Sequence, residues 1–215
     1  LDIDTLDSLV EQGLARQVDS EIYDVHDLIR EFLLRSIDDQ TKFDLHAKCS
    51  NWYKKSSQTP GYTIELIFHL LSSDNMAEAA SLIVEDGRTL ISQGHMELLG
   101  LIDSITLDDI PQDMLANIFQ FKGEILSLLG RFEEAKVAFG SAQEQALKGK
   151  NHSIQAEALS ALADISLKQG SLDESLTMHK EALEIFIKQK DAVGAARSYN
   201  NMGYCLLYTF DAADE

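Results

Sequence analysis

Between residues 113 and 204 the sequence repeats itself at an interval of forty. Ala116, Phe119, Gly123, Leu126, Gly130, Phe132, Ala135 and Ala142 recur as Ala156, Leu159, Ala163, Ser166, Gly170, Leu172, Ser175 and Ala182, and Ala196, Tyr199 and Gly203 open a third copy. Self-similarity at this period specifies a solenoid of stacked helical hairpins, in which each unit buries its apolar face only against its neighbours. The small residues Gly123, Ala163 and Gly203, together with Ala135 and Ser175, predict a close approach between the two helices of a pair. The larger residues fill the space between them. Gly130 and Gly170 fall where the first helix must stop and turn. Ser171-Leu172-Asp173-Glu174 has the spacing of a capping box that opens the second helix.

These positions resemble the tetratricopeptide repeat, whose small–turn–small signature they match. The extra length falls in Lys148–Ile154 and Lys188–Gly194, as in the longer repeats of bacterial and archaeal regulators of the maltose-activator type. The resemblance divides the region into copies at 113–152, 153–192 and 193–204. In this family the first helix of each pair lines the concave face, which implies a partner-binding surface at Asn117, Gln120, Glu124, Glu157, Ser160, Asp164, Arg197 and Asn200. All eight are expected to be exposed. The set is mostly neutral or acidic and lacks the Lys/Asn clamp that holds a C-terminal carboxylate in some relatives. A neutral or basic peptide, or a contact within the parent protein, is the partner it implies.

The residues before the repeats read differently. Leu6, Leu9 and Val10 have helical spacing, with Gly13 as a stop. Leu14–Val18 and Ile22–Val25 read as short strands around Asp19-Ser20-Glu21, and Leu28, Ile29, Phe32, Leu33 and Ile37 trace one face of a helix. Helix, two-stranded wing and helix make residues 1–38 the latter part of a winged-helix domain. Residues 39–112 read as helical throughout, with a helix over 43–55 and a loop over 56–61. Thr63–Leu71 is apolar on nearly all sides and is expected to be buried. Asn75 with Glu78 has capping-box spacing, and further helices are expected from about Thr89 and His95. The fold class is therefore all-α, a partial winged helix with a small hairpin followed by an α-solenoid.

A winged-helix fragment joined through helices to tetratricopeptide repeats resembles the signal-transduction ATPases with numerous domains, a class that includes the NB-ARC proteins. Their winged helix carries a Met-His-Asp motif at the start of its last helix. Val25-His26-Asp27 matches it, with an apolar Val for Met, and Leu28-Ile29-Arg30-Glu31-Phe32 is similar to the family's continuation. The resemblance implies that His26 contacts the β-phosphate of ADP held by an upstream domain, with Asp27 orienting the motif. The physics is compatible, because a helix N-terminus favours a phosphate and an imidazole N–H adds a directed donor. One such contact supplies about 1.5–3 kcal/mol, enough to bias a switch through differential affinity. No phosphate-binding loop of the G-x-x-x-x-G-K-[ST] type occurs in these residues. ATP or ADP would thus be a cofactor of the parent protein and not of this segment, which carries no catalytic residues. A plain repeat scaffold without a nucleotide role is the alternative.

The totals exclude other classes. A formal charge of −18 over 215 residues argues against nucleic acid and anionic membrane surfaces as partners. Residues 1–40 alone carry eleven acidic and three basic side chains, which weakens a DNA-reading role for the winged helix. Two prolines permit long helices. Two cysteines make no disulfide framework, so a reducing, cytoplasmic setting is expected. His46 and Cys49 share a helix face but lack the further ligands that zinc requires, and His69 reads as a core histidine. The register of the third copy fails after Tyr204. Residues 205–215 resemble a translated sequencing adapter, Cys-Leu-Leu-Tyr-Thr-Ser-Asp-Ala-Ala-Asp-Glu, with Phe210 in place of its Ser. They are expected to be non-native read-through from a longer protein.

Overall fold

The computed structural model describes residues 3–19, 22–25, 27–56 and 59–211. It is a chain of helices interrupted near its start by one hairpin. Helix α1 (Ile3–Glu11) is followed by β1 (Ala15–Asp19), β2 (Ile22–Val25) and α2 (Asp27–Ser36). The strands pair antiparallel, Ala15 opposite Val25 and Gln17 opposite Tyr23, with an irregularity before Asp19. Arg16 donates to Asp24 across the pair from Nε and Nη2, at 3.1 and 2.8 Å. Gly13 ends α1 with φ +69, a conformation that glycine adopts without steric cost. Phe32 and Leu33 of α2 are exposed, so the face they share is unpacked at those positions.

Helices α3 (Asp39–Tyr53), α4 (Pro60–Leu71), α5 (Met76–Ser92) and α6 (Leu98–Asp103) come next, then a short 3-10 turn at Leu107–Asp109. Asp38 caps α3, its carboxylate accepting from Thr41 N at 2.9 Å, which starts the helix four residues before the expected Phe43. Proline at the first position of α4 follows the Thr59 cap. Thr63, Ile64, Leu66, Ile67, Leu70 and Leu71 of α4 are buried as expected, whereas Phe68 in the same stretch is exposed. The helix break expected near Thr89 does not occur. Thr89 lies inside α5, whose turn comes at Gly94 with φ +90.

The solenoid proper consists of α7 (Gln112–Leu128), α8 (Phe132–Lys148), α9 (His152–Lys168), α10 (Leu172–Gln189) and α11 (Ala192–Asp211). Helices α7 and α8 pack as one hairpin and α9 and α10 as the next. Gly130 and Gly170, at φ +74 and +81, make the turns within the hairpins. In each, the following amide reaches back five residues, Arg131 N to Leu126 O and Ser171 N to Ser166 O, both at 2.9 Å. This left-handed closure satisfies the terminal carbonyls. The capping boxes expected at Ser171 and Asn75 do not form. Ser171 sits at ψ 69, away from the extended backbone that aims a cap oxygen at the helix. Asn75 turns its amide to Ser73 O and Oγ instead.

Close approach holds at Gly123, where a Cβ would lie 2.6 Å from the Phe139 ring of α8. It fails at Gly203, which is exposed and has open space where its side chain would be. One apolar core runs without interruption from Ile64 in α4 to Ile165 in α9. A second cluster joins Ala156 and Leu159 to Ala182 and Phe186 of α10. Cys205, in the adapter-like stretch, is buried in α11 with its Sγ 3.4 Å from Ser175 Oγ.

Candidate functional site: a cleft along the inner helices

Helices α5, α7, α9 and α11 present one side chain after another to a single cleft of about 330 Å³. Its lining takes Arg88 from α5, Gln120 and Glu124 from α7, Glu157, Ser160, Asp164 and Lys168 from α9, and Arg197 from α11. The forty-residue period explains the arrangement. Gln120 and Ser160 occupy the same position of successive inner helices, as do Glu124 and Asp164, so the stack aligns them along one wall.

Six residues proposed from the sequence thus meet here, while Asn117 and Asn200 are not part of the lining. All six were expected to be exposed, but only Arg197 is; Glu124, Glu157 and Asp164 are half-buried, and Gln120 and Ser160 are buried. Gln120 is 2% exposed and Ser160 1%, because both sit on the cleft floor between adjacent inner helices. Arg88, Lys168 and the apolar Ile91 and Phe139 join them in the lining. Arg88 escaped the sequence reading because it precedes the repeats, and its helix joins the solenoid only through packing.

The charges are arranged around Arg88. Its Nη2 lies 2.6 Å from Glu157 Oε2 and 3.9 Å from Glu124 Oε1, and its guanidinium faces the Phe121 ring. Burial opposes its charge, but the hydrogen bond it donates to Glu157 and the two nearby carboxylates hold its pKa above the ordinary value. Burial pushes the Glu124 carboxyl up, against the opposing pull of a 2.9 Å bond from Gln120 Nε2 and of Arg88. Asp164 Oδ1 accepts from Asn201 Nδ2 at 2.7 Å. It also lies 3.3 Å from His179 Nε2, without the alignment of a hydrogen bond. His179 is fully buried, in the position that Phe139 holds one repeat earlier.

Two buried atoms of the floor have no hydrogen-bond partner, Gln120 Oε1 and Ser160 Oγ. Buried polar groups are almost always paired, so these two mark where a ligand can bond. Among the described residues no group of three or more His, Cys, Asp or Glu is placed to hold a metal. None of their helices is long and apolar enough to cross a membrane.

The motif at the start of the chain offers less geometry. Strand β2 ends at Val25 and α2 begins at Asp27. His26 itself lies outside the described residues. His46 and His69, read from the sequence as a weak metal pair member and a core residue, face each other between α3 and α4. Their Nδ1 atoms are 2.8 Å apart, inside a nest of Tyr53, Tyr62 and Phe68.

No curated protein matches the chain. Among solved structures it is similar to BtubC (BKLC) from P. vanneervenii, at 17% identity and a TM-score of 0.48, covering 82% of this chain and 68% of that one. It is also similar to a signal-transduction ATPase with numerous domains, carrying a tetratricopeptide repeat sensor, from Pyrococcus horikoshii. That likeness has 16% identity and a TM-score of 0.43, and covers 96% of this chain and 43% of that one. The sequence model of the tetratricopeptide repeat matches residues 114–188 and, overlapping them, 154–214, two stretches that begin forty residues apart. Helices α7 to α10 are therefore tetratricopeptide hairpins.

Proposed function

We propose that this chain is a protein-interaction module whose inner-helix cleft receives an extended peptide segment of a partner or of its own parent protein. The observation that carries this reading is the pair of unpartnered atoms on the floor, Gln120 Oε1 and Ser160 Oγ. An extended backbone offers the N–H and the C=O that these two groups lack. The curvature of a stacked-repeat array creates an extended concave surface suited to this use. Peptide-array binding to the purified chain, followed by Ser160→Ala and Gln120→Leu, is the test. Both substitutions remove the bonding atom with little change of shape, and each is expected to weaken capture about tenfold. Unchanged capture in both variants would dismiss the cleft as the binding site.

A second reading concerns the hairpin and α2. The sequence Val25-His26-Asp27 spans the passage from β2 to α2, where a helix N-terminus favours phosphate. On this reading the chain is the regulatory part of a cytoplasmic signal-transduction ATPase. His26 and Asp27 sense ADP held upstream, and the repeats pass on the signal. Replacing His26 by Ala in the full-length parent is expected to loosen ADP binding, and an unchanged ADP affinity would remove the nucleotide role while leaving the scaffold.

A further inference from the structure

The charge balance of the cleft points to the chemistry of its occupant. Three carboxylates and three cations line it, but they are not equally engaged. Arg88 of α5 bonds Glu157 and approaches Glu124, Gln120 donates to Glu124, and Asn201 donates to Asp164. Every carboxylate therefore has a partner within the chain. Lys168 and Arg197 form no ion pair with a carboxylate among the described residues. Lys168 faces the Phe132 ring at 5.4 Å and Arg197 the Phe186 ring at 5.9 Å, and Arg197 is near enough to Glu124 to pull its pKa down without bonding it.

We infer that the cleft selects an extended peptide bearing an acidic side chain, which Arg197 and Lys168 receive while Ser160 and Gln120 bond the peptide backbone. This rests on the peptide-binding reading above and reverses the partner charge that the residue types alone imply. Counting Glu124, Glu157 and Asp164 as acidic groups suggests a basic partner. Arg88, drawn from outside the repeats, already occupies the place of that basic residue. The cation that a partner would have supplied is built in, and the unmet demand is for a carboxylate. Screening lets the local pattern prevail over the chain's overall −18, because charges more than about 8 Å away are weakened at physiological salt.

The experiment uses the whole chain and four pools of seven-residue peptides, three with both ends capped and a central Glu, Gln or Lys. The fourth has a central Gln and a free C-terminal carboxylate. The Glu pool is expected to bind about tenfold more tightly than the Gln pool, and the Lys pool more weakly still. Arg197→Glu and Lys168→Glu, both on exposed side chains, are expected to abolish the preference. Arg88→Gln releases Glu157 and Glu124 and is expected to shift preference toward Lys, with Arg88→Met as a second variant should the first lose its helical signal. Equal binding of the Glu, Gln and Lys pools, or a preference for Lys in the unaltered chain, overturns this inference and leaves the peptide-binding reading standing. A preference for the free C-terminus over the Glu pool replaces the acidic side chain with a terminal carboxylate and overturns it too. Binding of none of the pools overturns both.

Discussion

His46 and His69 show how one contact can set a pH dependence. With their Nδ1 atoms 2.8 Å apart, one ring must donate and the other accept, so the contact exists only while at least one of the two is neutral. Burial pulls both pKa values down, and for His69 the charge of His46 adds to it, bringing the group to about 4. The folded value lies below the unfolded one, so the unfolded chain takes up the proton first. The pair's contribution is therefore complete above about pH 6.5 and is lost as pH falls toward 4. Solvent reaches both rings, which limits the effect to about 1–2 kcal/mol. Melting curves from pH 7 to pH 4.5 are expected to fall more steeply for the natural chain than for His69→Phe, which keeps the aromatic packing and does not titrate. Parallel curves would show that the pair carries none of the acid sensitivity. The sequence placed His69 in the core, but the pairing was invisible to it. Twenty-three residues separate the two rings, and no local pattern encodes which face of α3 meets α4.

At the level of elements, volume is traded between helices at fixed positions of the repeat. Gly123 of α7 faces Phe139 of α8, and forty residues on the equivalent positions hold Ala163 and the smaller His179. A methyl at 123 would stand 2.6 Å from the ring, so Gly123→Ala must displace an aromatic that is itself 1% exposed. Overpacking of this kind costs about 1–3 kcal/mol. Gly203 holds the same repeat position in α11 with nothing within 4 Å of its would-be side chain. There, alanine only improves helix propensity, by about 0.5–1 kcal/mol. Urea midpoints are expected to move in opposite directions for the two variants at constant slope. Movement in the same direction would mean that the period does not carry equivalent packing. The hairpin turns were legible because a glycine with positive φ leaves a fixed signature, as Gly130 and Gly170 do. The boundaries of α5 and the capping boxes were not. Whether Asn75 or Ser171 caps a helix depends on a backbone angle that neighbouring packing sets, and residue type does not fix it.

For the whole molecule, the continuity of the core decides how it comes apart. The apolar cluster from Ile64 to Ile165 ties α4–α6 to the first repeat and to α9, so these helices cannot lose their packing one at a time. Arg88 reinforces the tie, its bond to Glu157 linking α5 directly to α9. This link explains why the cleft was only half legible. The inner-helix positions repeat and can be read, whereas the residue that neutralises them comes from a helix without the period. Helix α11 stands differently. Among the described residues it packs mainly on α10 and to a lesser extent on α9, and it leaves Val193, Tyr199, Tyr204, Leu206 and Leu207 exposed. In a stack stabilised by nearest neighbours, such an element opens at a fraction of the global cost. Native-state hydrogen exchange is expected to show the interior amides of α4 to α9 exchanging together, through global unfolding. Those around Ser198 in α11 should exchange at least about a hundredfold faster. If the amides near Ser198 were as protected as those near Ile125, the core would extend through α11. The cleft would then be a rigid trough along its whole length, with no end able to open for a peptide.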